Sequence, residues 1–289
     1  MKRDRLSFIV SFMPALCMAF MLGFELLVDN RIIDRVEYMV ALAEVLPFLI
    51  PLLLIRLFQR MTGGEQERRF GGFTRHAVPF VVLISLTTAV LSFLLNAGVS
   101  MLVGGAPESH VPYADSIGNW GIALLLVAVL PSIFEEFFFR GGVLPAFEGH
   151  GTATAIFVSA LTFALIHGNA YNLVGPLAAG MVYGYLTYTL GSVWPAVFAH
   201  MLNNGLYLLL GHVTRSYSTL GIWPYFLLAM VFLMGLLLWL SMGSLKSLLS
   251  RGKVKRLKAG GIKGLMSCLL FSPGLWLLAL MYIIKIAYL

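Results

Sequence analysis

The sequence predicts an all-α protein, a polytopic transmembrane bundle of about eight or nine helices enclosing a polar intramembrane cavity. Three observations lead there. Of the 289 residues, 59% are apolar and only 11% charged, with a mean hydropathy of +0.88; soluble domains run at roughly 45–50% apolar and about 25% charged. The apolar residues gather in runs that supply the about 20 residues a helix needs to cross hydrocarbon. Inside those runs sit a few ionisable side chains, each costly there unless paired or hydrated.

Polar or Gly/Pro breaks between the apolar runs delimit nine helical segments, at about 6–28, 38–58, 77–103, 120–147, 151–168, 171–190, 192–211, 222–245 and 264–287. The first, "LSFIVSFMPALCMAFMLGFELLV", follows Lys2, Arg3 and Arg5. It is too long for a signal-peptide core and has no small-residue cleavage site, so it reads as a retained helix. The second carries Glu44 and the fourth "PSIFEEFFFRGGVLP"; the fifth ends in "LTFALIHGNAYN". The sixth, "GPLAAGMVYGY", has the small residues that let helices approach closely. The seventh holds "VWPAVFAHMLNNGLY", the eighth is uninterrupted, and the ninth contains Lys285. The turns near 169 and 191 carry no charge, which leaves the count between eight and nine. No repeat, low-complexity linker or domain boundary interrupts the chain, so 1–289 reads as a single integral membrane domain.

The net charge of +7 does not point to nucleic acid. Basic residues concentrate at the N-terminus, between Arg56 and Arg75, and in "KSLLSRGKVKRLKAGGIK" at 246–263, which has no acid. A cytoplasmic N-terminus puts all three groups on the inner face, as the positive-inside rule requires, and the last stretch also suits anionic membrane lipid. Cys17 and Cys268 lie far apart in apolar segments and form no redox or thiolate-metal motif.

The intramembrane ionisable residues are Glu25, Glu44, Glu135, Glu136, Arg140, His167, His200 and Lys285. Glu136 and Arg140, four apart, share a helix face and can pair, while Glu135 is turned about 100° away with no basic residue within a turn. A carboxylate without a partner, sheltered from bulk water, is suited to general-base work. Phe163 and His167 are four apart on one face, as are His200 and Asn204. At 1.5 Å per residue from the inner helix ends, Glu135, His167 and His200 lie roughly 18, 24 and 12 Å deep if the fourth helix runs to Phe147. A stop at Gly141–Gly142, a possible C-cap, leaves Glu135 only about 8 Å deep. A shared site therefore requires a helix that continues through those glycines.

"EEFFFR" fits an EExxxR motif, "FALIH" an FxxxH motif and "HMLNN" an HxxxN motif, in that order and each on its own apolar segment. Together they resemble the CPBP family of intramembrane proteases, also called the CAAX-protease and bacteriocin-processing or Abi family, over a catalytic core at about 120–211. The resemblance implies an endopeptidase in which Glu135 and His167 activate a water. His200 and Asn204 stabilise the oxyanion, and Glu136, Arg140 and Phe163 support the site. It implies a peptide or protein substrate, in bacteria associated with processing secreted peptides such as bacteriocins. The basic inner loops, the lack of a retention signal and the compact chain fit a prokaryotic plasma membrane. No cofactor is required on the leading reading. Zinc held by Glu135, His167 and His200 is the other possibility, although the chain has no HExxH.

Intramembrane Glu, His and Asn also build transport sites, and the motifs could persist for packing in a non-catalytic scaffold or bacteriocin-immunity protein. The absence of an internal hydropathy repeat weighs against transport.

Overall fold

The computed structural model describes residues 2–29, 36–62, 69–103, 119–216, 223–252, 255, 257 and 262–288. All the regular structure among them is helical. In chain order the helices are α1 Lys2–Ser11, α2 Met13–Asp29, α3 Val36–Thr62 and α4 Val78–Val103. Then come α5 Trp120–His150, α6 Thr152–Ile166, α7 Val174–Leu190, α8 Trp194–Ser216, α9 Trp223–Ser250, α10 Ile262–Leu270 and α11 Pro273–Tyr288.

The nine segments read from the sequence are recovered in order, with two refinements that prolines explain. The first run is α1 and α2, interrupted at Phe12 just ahead of Pro14, which cannot donate to a preceding turn. The ninth is α10 and α11, bent by 75° at a break that Pro273 ends. Among the described residues, five helical spans are long and apolar enough to cross a bilayer by themselves, six with the bent pair. The short helices α6 and α7 and the asparagine-bearing α8 sit among them.

α4 packs against α7, α8 and α9, α6 packs against α7, and α2 packs against α3 and α11. α3 and α5 run alongside in the same direction. Phe48 meets Phe138 with ring centroids 6.1 Å apart, and two turns further Arg56 Nη2 donates to the Gly141 carbonyl at 3.1 Å. Gly141 and Gly142 lie inside α5 and do not end it. A Cβ on Gly141 would stand 2.8 Å from the Phe70 ring, and one on Gly142 3.1 Å from Ile55. These glycines let α3 and the chain after it press on α5.

The sixth segment packs closely as its small residues suggest. A Cβ on Gly180 would lie 3.0 Å from the Ala160 Cα and one on Gly184 3.0 Å from Ile156. At the C-terminal end of α5, Arg69 pairs with Glu148 at 2.5 Å, Val193 N–H donates to the Arg69 carbonyl at 2.8 Å, and Ser192 Oγ donates to the Gly71 carbonyl at 2.6 Å. The chain after α3 is thereby tied to the ends of α5 and α8.

Gly180→Leu is expected to destabilise the purified protein by about 1–3 kcal/mol, the range for overpacking a tight contact, read as a lower melting temperature in detergent. An unchanged melting temperature would show that α6 and α7 are not in contact there.

Candidate active site

Each motif supplies one wall of a buried polar site. α5 carries Glu136 and Arg140 one turn apart, and both are fully buried. Arg140 Nη1 donates to Glu136 Oε1 at 3.0 Å, and Arg140 Nη2 donates across to the Gly180 carbonyl of α7 at 3.0 Å. A Cβ on Gly180 would also meet Arg140 Nη2, at 3.0 Å, so glycine keeps this approach open. From α8, His200 brings Nδ1 to 2.9 Å from the same Glu136 oxygen. A carboxylate only accepts, so Nδ1 carries the proton and the ring's further chemistry runs through Nε2.

Aromatic rings wall the charge pair. The Arg140 guanidinium lies 4.6 Å from the Phe163 centroid and 5.4 Å from that of Tyr183. His200 stacks on Tyr183 at 5.3 Å with the planes 21° apart and meets the edge of Phe163 at 5.4 Å. Phe163 also touches His167, at 5.0 Å. One phenylalanine thus contacts the arginine and both histidines, and cation–π and edge-on contacts replace the water that these groups lack.

His167 follows the last turn of α6, and its Nδ1 donates to the Phe163 carbonyl at 2.8 Å. That bond fixes the tautomer and assigns Nε2 to the cavity chemistry. Gly168 comes next in the left-handed region at φ +59°, and a Cβ there would run into the Lys285 side chain. Lys285 is itself paired with Glu25 at 2.6 Å. α11 thus closes over the turn behind His167.

His167, His200 and Asn204 line one cavity of about 90 Å³, together with Ser92, Asn96, Asn172, Asn203, Phe163 and Tyr183. It has room for several waters. Asn96 Nδ2 donates to Asn172 Oδ1 at 2.8 Å, which joins α4 to the turn ahead of α7.

Glu135 stands apart. It is buried but is not among the residues lining the cavity. Cys17 of α2 and Glu44 of α3 are near enough to interact with it electrostatically. Its Oε2 is buried without a hydrogen-bond partner, as is Oε2 of Glu136. Among the described residues no group of three or more His, Cys, Asp or Glu side chains is placed to hold a metal ion. As placed, Glu135, His167 and His200 do not make a zinc site.

Sequence reasoning passed over Tyr183, Asn96, Asn172 and Asn203. An asparagine inside the apolar run "LSFLLNAG" was a usable signal for Asn96. Tyr183 carried none, because a tyrosine in a membrane helix is unremarkable until its ring is seen stacked on a histidine.

Fold and site together define a helical membrane protein with a buried Glu–Arg–His network beside a His- and Asn-lined cavity. Residues 117–206 match the family model described as Type II CAAX prenyl endopeptidase Rce1-like. This segment spans α5, α6, α7 and the first half of α8 and holds all three motifs, so the resemblance read from them is met by the family match. No curated protein and no solved structure matches the chain.

Removing one partner of a buried ion pair strands the other. Arg140→Ala is therefore expected to cost about 3–5 kcal/mol, measured by denaturation in detergent. Glu136→Gln with Arg140→Met should be milder than Arg140→Ala alone. An Arg140→Ala variant as stable as the parent would contradict the buried pair.

Proposed function

We propose that the chain is an intramembrane endopeptidase that hydrolyses peptide bonds of small or membrane-associated substrates. The observation that carries this reading is the single cavity shared by His167, His200 and Asn204, beside the Glu136–Arg140 pair and inside the segment that matches the endopeptidase family. Of the two adjacent carboxylates, Glu136 is committed to Arg140 and His200, and Glu135 is left to activate water with His167. Both carboxyls leave Oε2 without a hydrogen-bond partner, so the division rests on Glu136 Oε1, which is taken by Arg140 and His200. The carboxyl must turn toward the cavity when substrate binds, a tightening common to sites described without substrate.

In the proposed reaction Glu135 takes a proton from the water as its oxygen attacks the scissile carbonyl carbon. The resulting oxyanion receives hydrogen bonds from Asn204 Nδ2 and from Nε2 of protonated His200, whose positive charge Glu136 stabilises. The proton held by Glu135 passes to Nε2 of His167, which delivers it to the leaving amine as the carbon–nitrogen bond breaks, so that both residues end as they began. Each oxyanion donor is worth roughly 10²–10³ in rate. No metal ion takes part in this scheme. The basic clusters support a prokaryotic plasma membrane with the N-terminus inside, where the substrate would be a secreted or membrane-bound peptide.

Purified protein in detergent is expected to cleave members of a fluorogenic panel that includes prenylated C-terminal peptides and amphipathic secreted peptides. His167→Ala should lower the rate by about 10²–10⁴-fold, and cleavage should survive exhaustive zinc chelation. Solute flux in liposomes with no cleavage of any peptide would overturn the reading in favour of a transporter.

A further inference from the structure

The amide of Asn204 is held at both ends. Its Oδ1 accepts from Asn203 Nδ2 at 3.3 Å, and its Nδ2 donates to the Val127 carbonyl of α5 at 3.1 Å. A carbonyl can only accept, so the second bond also settles which way the amide faces. Nδ2 bears two N–H groups, and the bond to Val127 uses one.

The Val127 carbonyl is available because of the residue one turn later. In an α-helix its donor would be the N–H of residue 131. Residue 131 is Pro131, buried near the start of the Leu130–Phe138 stretch, and it has no N–H. The proline ring also crowds the carbonyl four residues back and pushes it away from the helix axis. The turn before it is rewound accordingly: residues 125–129 form a π turn, and Leu130 N–H reaches back five residues to Leu125 O. Freed backbone groups at a membrane proline need a new partner from a neighbouring helix. Here α8 supplies it through Asn204.

We infer that Pro131 is a positioning residue for the site: by freeing the Val127 carbonyl it holds the Asn204 amide so that the second N–H of Nδ2 faces the cavity. The consequence for catalysis rests on the proposed role of Asn204 as an oxyanion donor. Pro131 touches no substrate and acts only through the helix carbonyl and the asparagine. The motif pattern gave no hint of this link, because Pro131 and Asn204 are 73 positions apart and the coupling runs through a backbone atom.

A double-mutant cycle tests it, using Pro131→Ala, Asn204→Ala and the pair in the full-length protein. Pro131→Ala restores an N–H that competes for the Val127 carbonyl, and alanine is well tolerated in a helix. It is expected to lower kcat by roughly tenfold to a hundredfold, up to the loss of one oxyanion donor, with KM unchanged. In the Asn204→Ala background the same change should have no further effect. Asn204→Asp, which accepts where the amide donated, should lose as much kcat as Asn204→Ala. The melting temperature provides a readout independent of activity: Asn204→Ala should lower it in the parent but not in Pro131→Ala, where the helix has taken its carbonyl back. Unchanged kcat in Pro131→Ala, or equal losses in both backgrounds, would overturn the inference. Full kcat in Asn204→Ala would instead remove the oxyanion role. If the parent cleaves no peptide, the proposed function falls, and the melting cycle alone decides whether Pro131 and Asn204 are coupled.

Discussion

Everything at the centre of this protein depends on one carboxylate oxygen. Glu136 Oε1 accepts from Arg140 Nη1 and from His200 Nδ1, and Glu136 and Arg140 are fully buried. Charges in so apolar a setting persist only where pairing and hydrogen bonds offset their desolvation. The arginine completes its share on the Gly180 carbonyl, within reach only because position 180 has no side chain. α5, α7 and α8 are thus locked together by a network in which loss of Glu136 or Arg140 strands the other's charge. Phe163 of α6 fills the remaining side, touching Arg140, His167 and His200.

The same constraint explains the shape of α5. A straight α-helix of 31 residues would have offered no carbonyl to Asn204 and no groove to α3. Instead π turns at 125–129 and 139–143 bracket the glutamates, the first beside Pro131 and the second over the glycines that α3 presses on. π turns inside α-helices are frequent at functional sites because they turn side chains and free backbone groups locally. α5 is the scaffold on which the motifs of α6 and α8 converge.

Much of this was legible in the sequence. Hydropathy located the nine apolar segments, and spacing four apart put Glu136 with Arg140, Phe163 with His167, and His200 with Asn204 on common faces. The need for depth also anticipated that α5 would continue through Gly141 and Gly142. What spacing along one helix could not reveal was anything set by rotation or by a neighbour. Glu135 is buried outside the lining of the cavity, with Glu44 and Cys17 near enough to interact with it, because spacing along one helix does not say which neighbour packs on each face. Glu25, which as a residue near a helix end could have reached the interface, pairs with Lys285 across 260 positions. The 75° bend before α11 was also hidden, since a hydropathy window sees apolar residues on both sides of Pro273 and not the missing N–H between them.

The central claim is a division of labour between neighbouring carboxylates: Glu136 organises the site and Glu135 performs the chemistry. The most direct measurement compares Glu135→Gln with Glu136→Gln, both purified in detergent, for melting temperature and peptide hydrolysis. The account expects Glu135→Gln to melt with the parent and lose hydrolysis, and Glu136→Gln to lose both stability and hydrolysis. A Glu135→Gln protein that hydrolyses peptides at the parental rate would contradict it.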